Sequence, residues 1–579
     1  MFDHIELSEL YKYSQLSTGK DDFKPVKNIT RPILNLQYRT EDIDVKDVQM
    51  YIDDPDRFHL SFLIKKYHDD VFVVENDLDS FFDKLNESRI DFGAGLSKKL
   101  AGPRPEVVPL QTIAFCDQTD MLSGPIGLKH FYSPDQLLEM SSVGWGNTLK
   151  GATITLKELI ALSRDEKNEA GEAASVKTPG RYIEIYEVHG NLPKRYFDDE
   201  DVSEEYETRL WVVAFYQKEN SGDKEGVILY TEIESESPFK VVKRDDVHGR
   251  ALGFGGAEEL FESQVWVNYD MIRMQDMLDS ASKTILKASG KNGAAIAQRS
   301  RIRDMDNNEI IDVGEGGDLS QVDMYPRNFA LFEKSIQGWE AHAQQMGAAN
   351  DALMGISPSS GTPFKLQELV TDNSKGTHDF RRGQFAKHIE EIYKDWIIPH
   401  IAKKITEGSR FLSTLDIEEM QYIADSLIRN ESIKMKREFV LSNGGLAPAP
   451  EMVQQFEEQV REQFRKRGPK YFIEILKGEF KDPSICVKIN VAGKQKNLNS
   501  MTDKIVNIFR FVFSNPQGFS QVMQLPGMAK SFNSILEFSG LSPVDFYGIE
   551  KLAMAQPQGQ AQQGVPQDAV NALSTNATA

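Results

Sequence analysis

One stretch constrains the fold more than any other. From Ala257 to Ser289 the chain contains neither proline nor glycine, and at about 1.5 Å per residue a helix over this span reaches roughly 45–50 Å. A strand-like segment, Phe239 to Arg244, and a glycine cluster, Gly249, Gly253, Gly255 and Gly256, lead into it. Its apolar positions, Leu260, Val267, Met271, Met274, Leu278, Ala281 and Ile285, step alternately by three and four once Gln264 fills the gap. So narrow a stripe belongs to a helix lying along another helix. On the other side Asp279 and Lys283 stand one turn apart, spaced to pair.

A second helix of the same kind is expected after an interruption. Asn328, just past Pro326, serves as N-cap, and Phe329, Phe332, Ile336, Trp339, Ala343 and Met346 repeat the stepping. Between the two helices, Lys291 to Arg327 reads as a small β or mixed module at the end of a helical hairpin. It carries Arg299, Arg301 and Arg303, then Asn307-Asn308 as a turn and a glycine-rich acidic bend at Gly314 to Asp318. Alternation places the three arginines on one face of a strand, either as a basic edge that discourages strand pairing or as a docking surface.

Composition narrows the function. With 88 acidic against 67 basic residues and a formal charge of -21, the chain is not one that grips nucleic acid by neutralising phosphates. The two cysteines, Cys116 and Cys486, have no CxxC or histidine-rich companion, which supports neither a disulfide framework nor a zinc site. There is no apolar run of membrane-spanning length and no secretory leader at the start given. The expectation is a soluble protein made in a reducing compartment, with roughly four structural units for 579 residues.

In chain order, residues 1 to about 125 alternate short strand-like runs, Phe72 to Val74 and Val107 to Leu110, with acidic turns and a helix from Asp77 to Leu85. No strong helix opens the chain, which suggests a start inside what relatives fold as a larger region. Helices begin at Ser133-Pro134-Asp135 and near Thr155, and residues 165–176 read as an exposed loop. Strands follow at Arg181 to Val188, Arg209 to Gln217 and Gly226 to Glu232, rich in β-branched and aromatic residues. After the hairpin come a Ser/Pro/Gly loop, Ile356 to Pro363, and a third long helix from about Asp379 to Ile405, kinked at Pro399. Residues 413–550 read as mostly helical with a short strand at Ser484 to Val491. From Gln556 the composition is low-complexity.

Catalytic signatures are sparse. The glycine cluster lacks the third glycine of a dinucleotide fingerprint, since Glu258 stands there, and reads instead as a close backbone approach. No P-loop, GxSxG or HExxH occurs. The acidic runs Glu41 to Asp47 and Asp198 to Glu205 lack calcium-loop spacing and read as solvated. His378 and His388, about 15 Å apart along a helix, read as surface or interface residues. No catalytic residue, metal ligand or cofactor is assigned.

Several phrases resemble the portal proteins of tailed phages, most narrowly those of crAss-like phages: RIDFGAGLSKKL (89–100), FCDQTDMLSGPIG (115–127), FGGAEELFESQVWVN (254–268), SGTPFKLQELV (360–370), FRRGQFAKHIEEIYKDWIIPHI (380–401) and VNIFRFVFSNPQGF (506–519). The likeness covers most of residues 40–550. It implies an α+β portal-type subunit: a sheet-rich wing over 1–250, stem helices at 251–290 and 328–350, and a clip at 291–327. A channel loop region at 351–378, a kinked wing helix at 379–410, a helical wing and crown at 411–555, and a disordered tail at 556–579 complete it. It implies further a homo-oligomer, as a dodecameric ring at the capsid vertex of a virion assembled in the host cytoplasm. Double-stranded DNA would pass through it, and its partners would be the terminase large subunit, the major capsid protein and neck or head–tail adaptor proteins, with no membrane. The residues so assigned are the stem seam Val267, Met271, Met274, Leu278, Phe332, Ile336 and Trp339; the channel loop Ser357, Ser359, Ser360, Gly361 and Thr362; and the clip surface Arg299, Arg301 and Arg303. A non-ring virion or scaffold component and an enzyme using the acidic clusters are the alternatives.

Overall fold

The computed structural model describes residues 27–52, 58–100, 104–164, 182–193, 205–217, 224–234, 236–282, 286–289, 318–321, 329–349, 353–354, 364–407, 415–443, 448–467, 474–477 and 485–489. Helices and antiparallel sheets alternate along it, an α+β arrangement. The chain divides into two units, Met1–Val45 with Asp77–Ile392, and Lys46–Asn76 with Tyr393–Ala579.

Among the described residues the first unit holds two larger sheets and a two-stranded ribbon. Five antiparallel strands, Ile113–Phe115, Ile126–Tyr132, Ile183–Pro193, Tyr206–Gln217 and Lys224–Ile233, pair in sequence order. The period-2 pleat turns Ile183, Ile185, Val212, Ala214 and Leu229 to one side, where they pack on Leu137, Trp145, Leu156, Leu159 and Ile160. These last belong to two short helices and the loop between them. The helices start where Ser133 and Thr155 predict: Ser133 forms a capping box with Gln136, and the Thr155 hydroxyl donates to Glu158. In the second sheet, Ala94–Lys99 lies between Pro105–Val108 and Phe239–Lys243.

Four helices make a further core of this unit. Thr30–Thr40, Leu78–Phe92, Gly256–Ser282 and Phe329–Met346 contribute Ile33, Leu34, Ile90, Leu260, Val267, Ile336 and Ala343 to one buried cluster. The two long helices are antiparallel: Ser263 meets His342, Trp266 meets Trp339 and Asp270 meets Ser335, one number falling as the other rises. Beyond them, Leu286–Ser289 pairs antiparallel with Asp318–Gln321, a two-stranded ribbon at the base of the insert.

In the second unit Phe58–Tyr67 continues through a π-helical turn, His68–Phe72, into Val73–Asn76. A second π turn, Tyr393–Ile397, leads into Ile398–Glu407. The helices Ile417–Ser442 and Pro450–Arg467 follow, and Val48–Ile52 pairs with Ile485–Ile489, the strand expected at Ser484 to Val491.

Four expectations change. Phe72 to Val74 is helical, because a short apolar run does not distinguish strand from helix and Phe72 is buried against His68 and His400. The N-terminal region accordingly carries more helix than its strand-like runs suggested. The first long helix ends at Ser282, and residues 286–289 of the expected 251–290 helix are strand, drawn into the ribbon. The third long helix starts at Phe364, within the expected 351–378 loop region. Gly376 does not stop it: no neighbour crowds that position, and His378 beyond it is anchored. The irregularity near Pro399 takes the form of the π turn just before it, which shifts the backbone bonding where proline has no N–H to give.

Candidate assembly helix and the buried charge cluster at its base

The glycine cluster is a crossing of two backbones. A Cβ on Gly255 would lie 2.5 Å from the Asp91 carbonyl oxygen and 2.7 Å from the Gly93 amide nitrogen, and one on Gly253 would lie 2.5 Å from the Gly93 carbonyl oxygen. Gly93 itself sits at φ 79°, which favours glycine. The close approach read from sequence is therefore what these glycines provide. It fixes the start of the Gly256–Ser282 helix against the end of Leu78–Phe92.

Just over two turns further on, the polar residue in the apolar stripe has a specific task. The Gln264 Oε1 accepts from the backbone N–H groups of Ile29 and Thr30, at 2.8 and 3.2 Å, and from the Thr30 hydroxyl. Its Nε2 donates to the Lys27 carbonyl and to Asn268. The helix Thr30–Thr40 has no side-chain cap from its own Ile29. Gln264 supplies it from another helix, satisfying N–H groups that a helix start leaves unpaired.

At the opposite end of Thr30–Thr40 stands Glu41, fully buried. Its Oε2 accepts from Arg89 Nη2 at 2.7 Å, its Oε1 lies 3.1 Å from His378 Nδ1, and Arg381 Nη1 is 4.0 Å away. Arg381 bridges to Asp245 and Glu259, and Arg244 pairs with Glu259 at 3.0 Å. Burial alone would raise the Glu41 carboxyl; the His378 hydrogen bond and the charges of Arg89, Arg244 and Arg381 outweigh it and hold the pKa at about 2. Arg89 also lies 4.8 Å from the Phe385 ring centre. The cluster ties together the glycine crossing, the first residues of the long helix and the third long helix.

The acidic run Glu41 to Asp47 was expected to be solvated, yet its first residue is the centre of this cluster, because three guanidiniums compensate a buried carboxylate. His378 and His388 were expected at a surface or an interface and lie buried within the chain, at 1% and 6% exposed. His378 links Glu41 to the Ala348 carbonyl. For His388, burial first and then the charges of Lys240 and Arg89 push the pKa down to about 3, so its ring is neutral. The signal for such residues was present: Arg89 continues the stripe Leu78, Phe82, Leu85, and His378, Arg381 and His388 share core spacing with Phe385 and Ile392. A charged residue at a core-periodic position marks a buried partner.

The seam residues Val267, Met271, Met274, Ile336 and Trp339 come together in one cluster. Phe332 is half-buried, and Leu278 is exposed. By the antiparallel register Leu278 lies past the Phe329 end of its partner. Arg299, Arg301 and Arg303, and the loop residues Ser357, Ser359, Ser360, Gly361 and Thr362, lie outside the described residues.

With its inner side filled in this way, the first long helix remains apolar on its outer side. Phe261, Trp266 and Tyr269 are 38%, 42% and 47% exposed, with Val265 and Ile272 half-buried between them. Trp266 stacks on Trp339 at 6.1 Å, and Arg273 lies over Tyr269 at 4.1 Å. The outer side of the second helix is mixed: Leu331 is 66% exposed, while Ala330, Lys334, Gln337, Gly338 and Ala341 are small or polar and exposed.

No family model matches the chain, and no curated protein does. Among solved structures it is similar to a chain described as the neck of an empty GTA particle computed with C6 symmetry, with 10% identity and a TM-score of 0.33, over 72% of this chain and 92% of that one. A likeness at that level does not establish a shared fold.

Proposed function

We propose that the chain is a portal-type subunit, a structural component of a virion rather than an enzyme, that closes into a ring through its long helices. The observation that supports this most is the apolar outer side of Gly256–Ser282. A helix apolar on both sides is normally covered on both, and on the outer side Phe261, Trp266 and Tyr269 stay partly exposed. A second copy of the chain is the cover this reading supplies. In it the two long helices are the stem and the insert after the ribbon is the clip. Arg299, Arg301 and Arg303 face the packaging motor and neck adaptors, and Ile356 to Pro363 is a loop beside passing DNA. The net negative charge suits a channel through which DNA moves without being held.

Light scattering and negative-stain imaging of the purified chain test this. Closed rings are expected. A species that stays monomeric on concentration with its helical signal intact overturns the reading.

A further inference from the structure

Two π-helical turns occur among the described residues, and they touch. One begins at His68 and the other at Tyr393, and these two residues are joined: His68 Nε2 lies 2.8 Å from the Tyr393 hydroxyl, with ring centres 5.4 Å apart. Both side chains are buried, at 1% and 0% exposure. On its other side His68 Nδ1 lies 2.7 Å from Asp69 Oδ1. This fixes the tautomer: Nδ1–H donates to the carboxylate and Nε2 accepts from the tyrosine hydroxyl. Phe72, the last residue of the first π turn, stacks on His68 and also meets His400, beyond the second.

π turns are rare, occupying well under about 1% of residues, because each carries one residue more than the α register and gives up regular bonding. The second has a local cause in Pro399. The first, in HDDVF, has neither proline nor glycine to account for it. Their first residues are nonetheless joined, His68 to Tyr393, so one contact bears on both turns. The register also matters downstream. Relaxing Tyr393–Ile397 to α would turn the following helix by roughly 100° and carry Ile398, Ile401 and Ile405, now buried, off the core side.

We propose that the Asp69–His68–Tyr393 chain is a register latch, which holds both π turns at once and thereby sets the rotation of the Ile398–Glu407 helix. The two turns form and open as one element although more than 300 positions separate them.

Hydrogen–deuterium exchange on the full chain tests this, comparing wild type with Tyr393→Phe, which removes only the hydroxyl, and with Asp69→Asn, which alters an exposed residue and the ring's orientation. In Tyr393→Phe, peptides covering 68–76 and 393–401 are expected to exchange about tenfold faster together, with Ile417–Ser442 unchanged. Asp69→Asn is expected to give a smaller rise in the same two peptides. If Tyr393→Phe loses protection throughout, Asp69→Asn alone carries the test. Exchange in 68–76 that does not follow exchange in 393–401 in any folded variant overturns the latch.

Discussion

The inner and outer sides of the Gly256–Ser282 helix have the same kind of sequence and opposite surroundings. Inside, Leu260 and Val267 are fully buried, and Gln264 makes its hydrogen bonds to the start of another helix. Outside, Phe261, Trp266 and Tyr269 have comparable apolar bulk but stay partly exposed, Trp266 stacking on Trp339 and Arg273 lying over Tyr269. The difference separates two jobs that one helix performs. The inner side and its charged base hold the subunit together, and on the proposed reading the outer side is where a second copy docks. Substitutions on the two sides are therefore expected to act on different measurements.

The largest effect on stability belongs to the base. Glu41→Ala leaves Arg89 buried without its carboxylate and is expected to cost about 3–5 kcal/mol, read by denaturant unfolding at one protein concentration. A cost under about 1 kcal/mol would mean that the cluster is not a closed buried network. Gln264→Leu comes next. It keeps the apolar stripe but strands the Ile29 and Thr30 N–H groups and the Lys27 carbonyl, with an expected loss of about 1–3 kcal/mol. In that variant, faster exchange at 29–32 would show the cap failing where the geometry puts it.

Stability should also depend on pH with an optimum near neutrality. His388 is held below its ordinary value, so its contribution is present above about pH 6.5 and is lost as pH falls from there toward about 3. Glu41 is held low as well, and its contribution disappears below about pH 4.3, the ordinary glutamate value, as pH falls toward 2. His189 runs the other way. Burial disfavours its charged form, but hydrogen bonds to Glu187 and Glu234 prevail and raise its pKa. Its contribution is complete below about pH 6.5 and is lost as pH rises through the raised value. Together these give a maximum close to pH 6.5, falling by no more than about 1.4 kcal/mol per pH unit for each group on either side. Melting temperature measured from pH 4 to 9 checks this, and a curve still rising at pH 9 would contradict it.

The smallest effects on folding are expected outside the helical core. Changing Arg299, Arg301 and Arg303 to Glu should leave rings intact and weaken attachment of the packaging motor or neck adaptor, as charges at a rim affect association more than stability. Unchanged attachment would return the three arginines to the role of a plain basic edge.

Much of the fold was legible because periodicity is a direct record of burial. The stepping of Leu260 to Met274 and of Phe332 to Ala343 predicted both long helices, and the β-branched and aromatic residues around Ile183 and Val212 predicted the sheet. What escaped was decided by contacts distant in sequence. Glu41 looks like the start of an acidic loop until Arg89, His378 and Arg381 are brought around it. Phe72 to Val74 looks like a strand until the surrounding helices claim it. Gln264 was read as a gap in a stripe, and only the position of Ile29, 235 residues away, shows it to be a cap. The glycines at 253 and 255 were the exception, since a cluster of residues without side chains announces a close approach even when the opposing backbone is unknown.

The central claim is that the outer side of the first long helix joins copies of the chain. Mass by size-exclusion chromatography with light scattering, comparing wild type with Trp266→Lys/Tyr269→Lys, tests it most directly. Both substituted side chains are partly exposed, so the variant is expected to keep its helical content, with a loss of about 0.5–1.5 kcal/mol from the Trp266–Trp339 stack. Wild type is expected to run as a closed oligomer and the double variant as a monomer. A double variant that assembles as wild type does, with the same mass at the same concentration, would contradict the account.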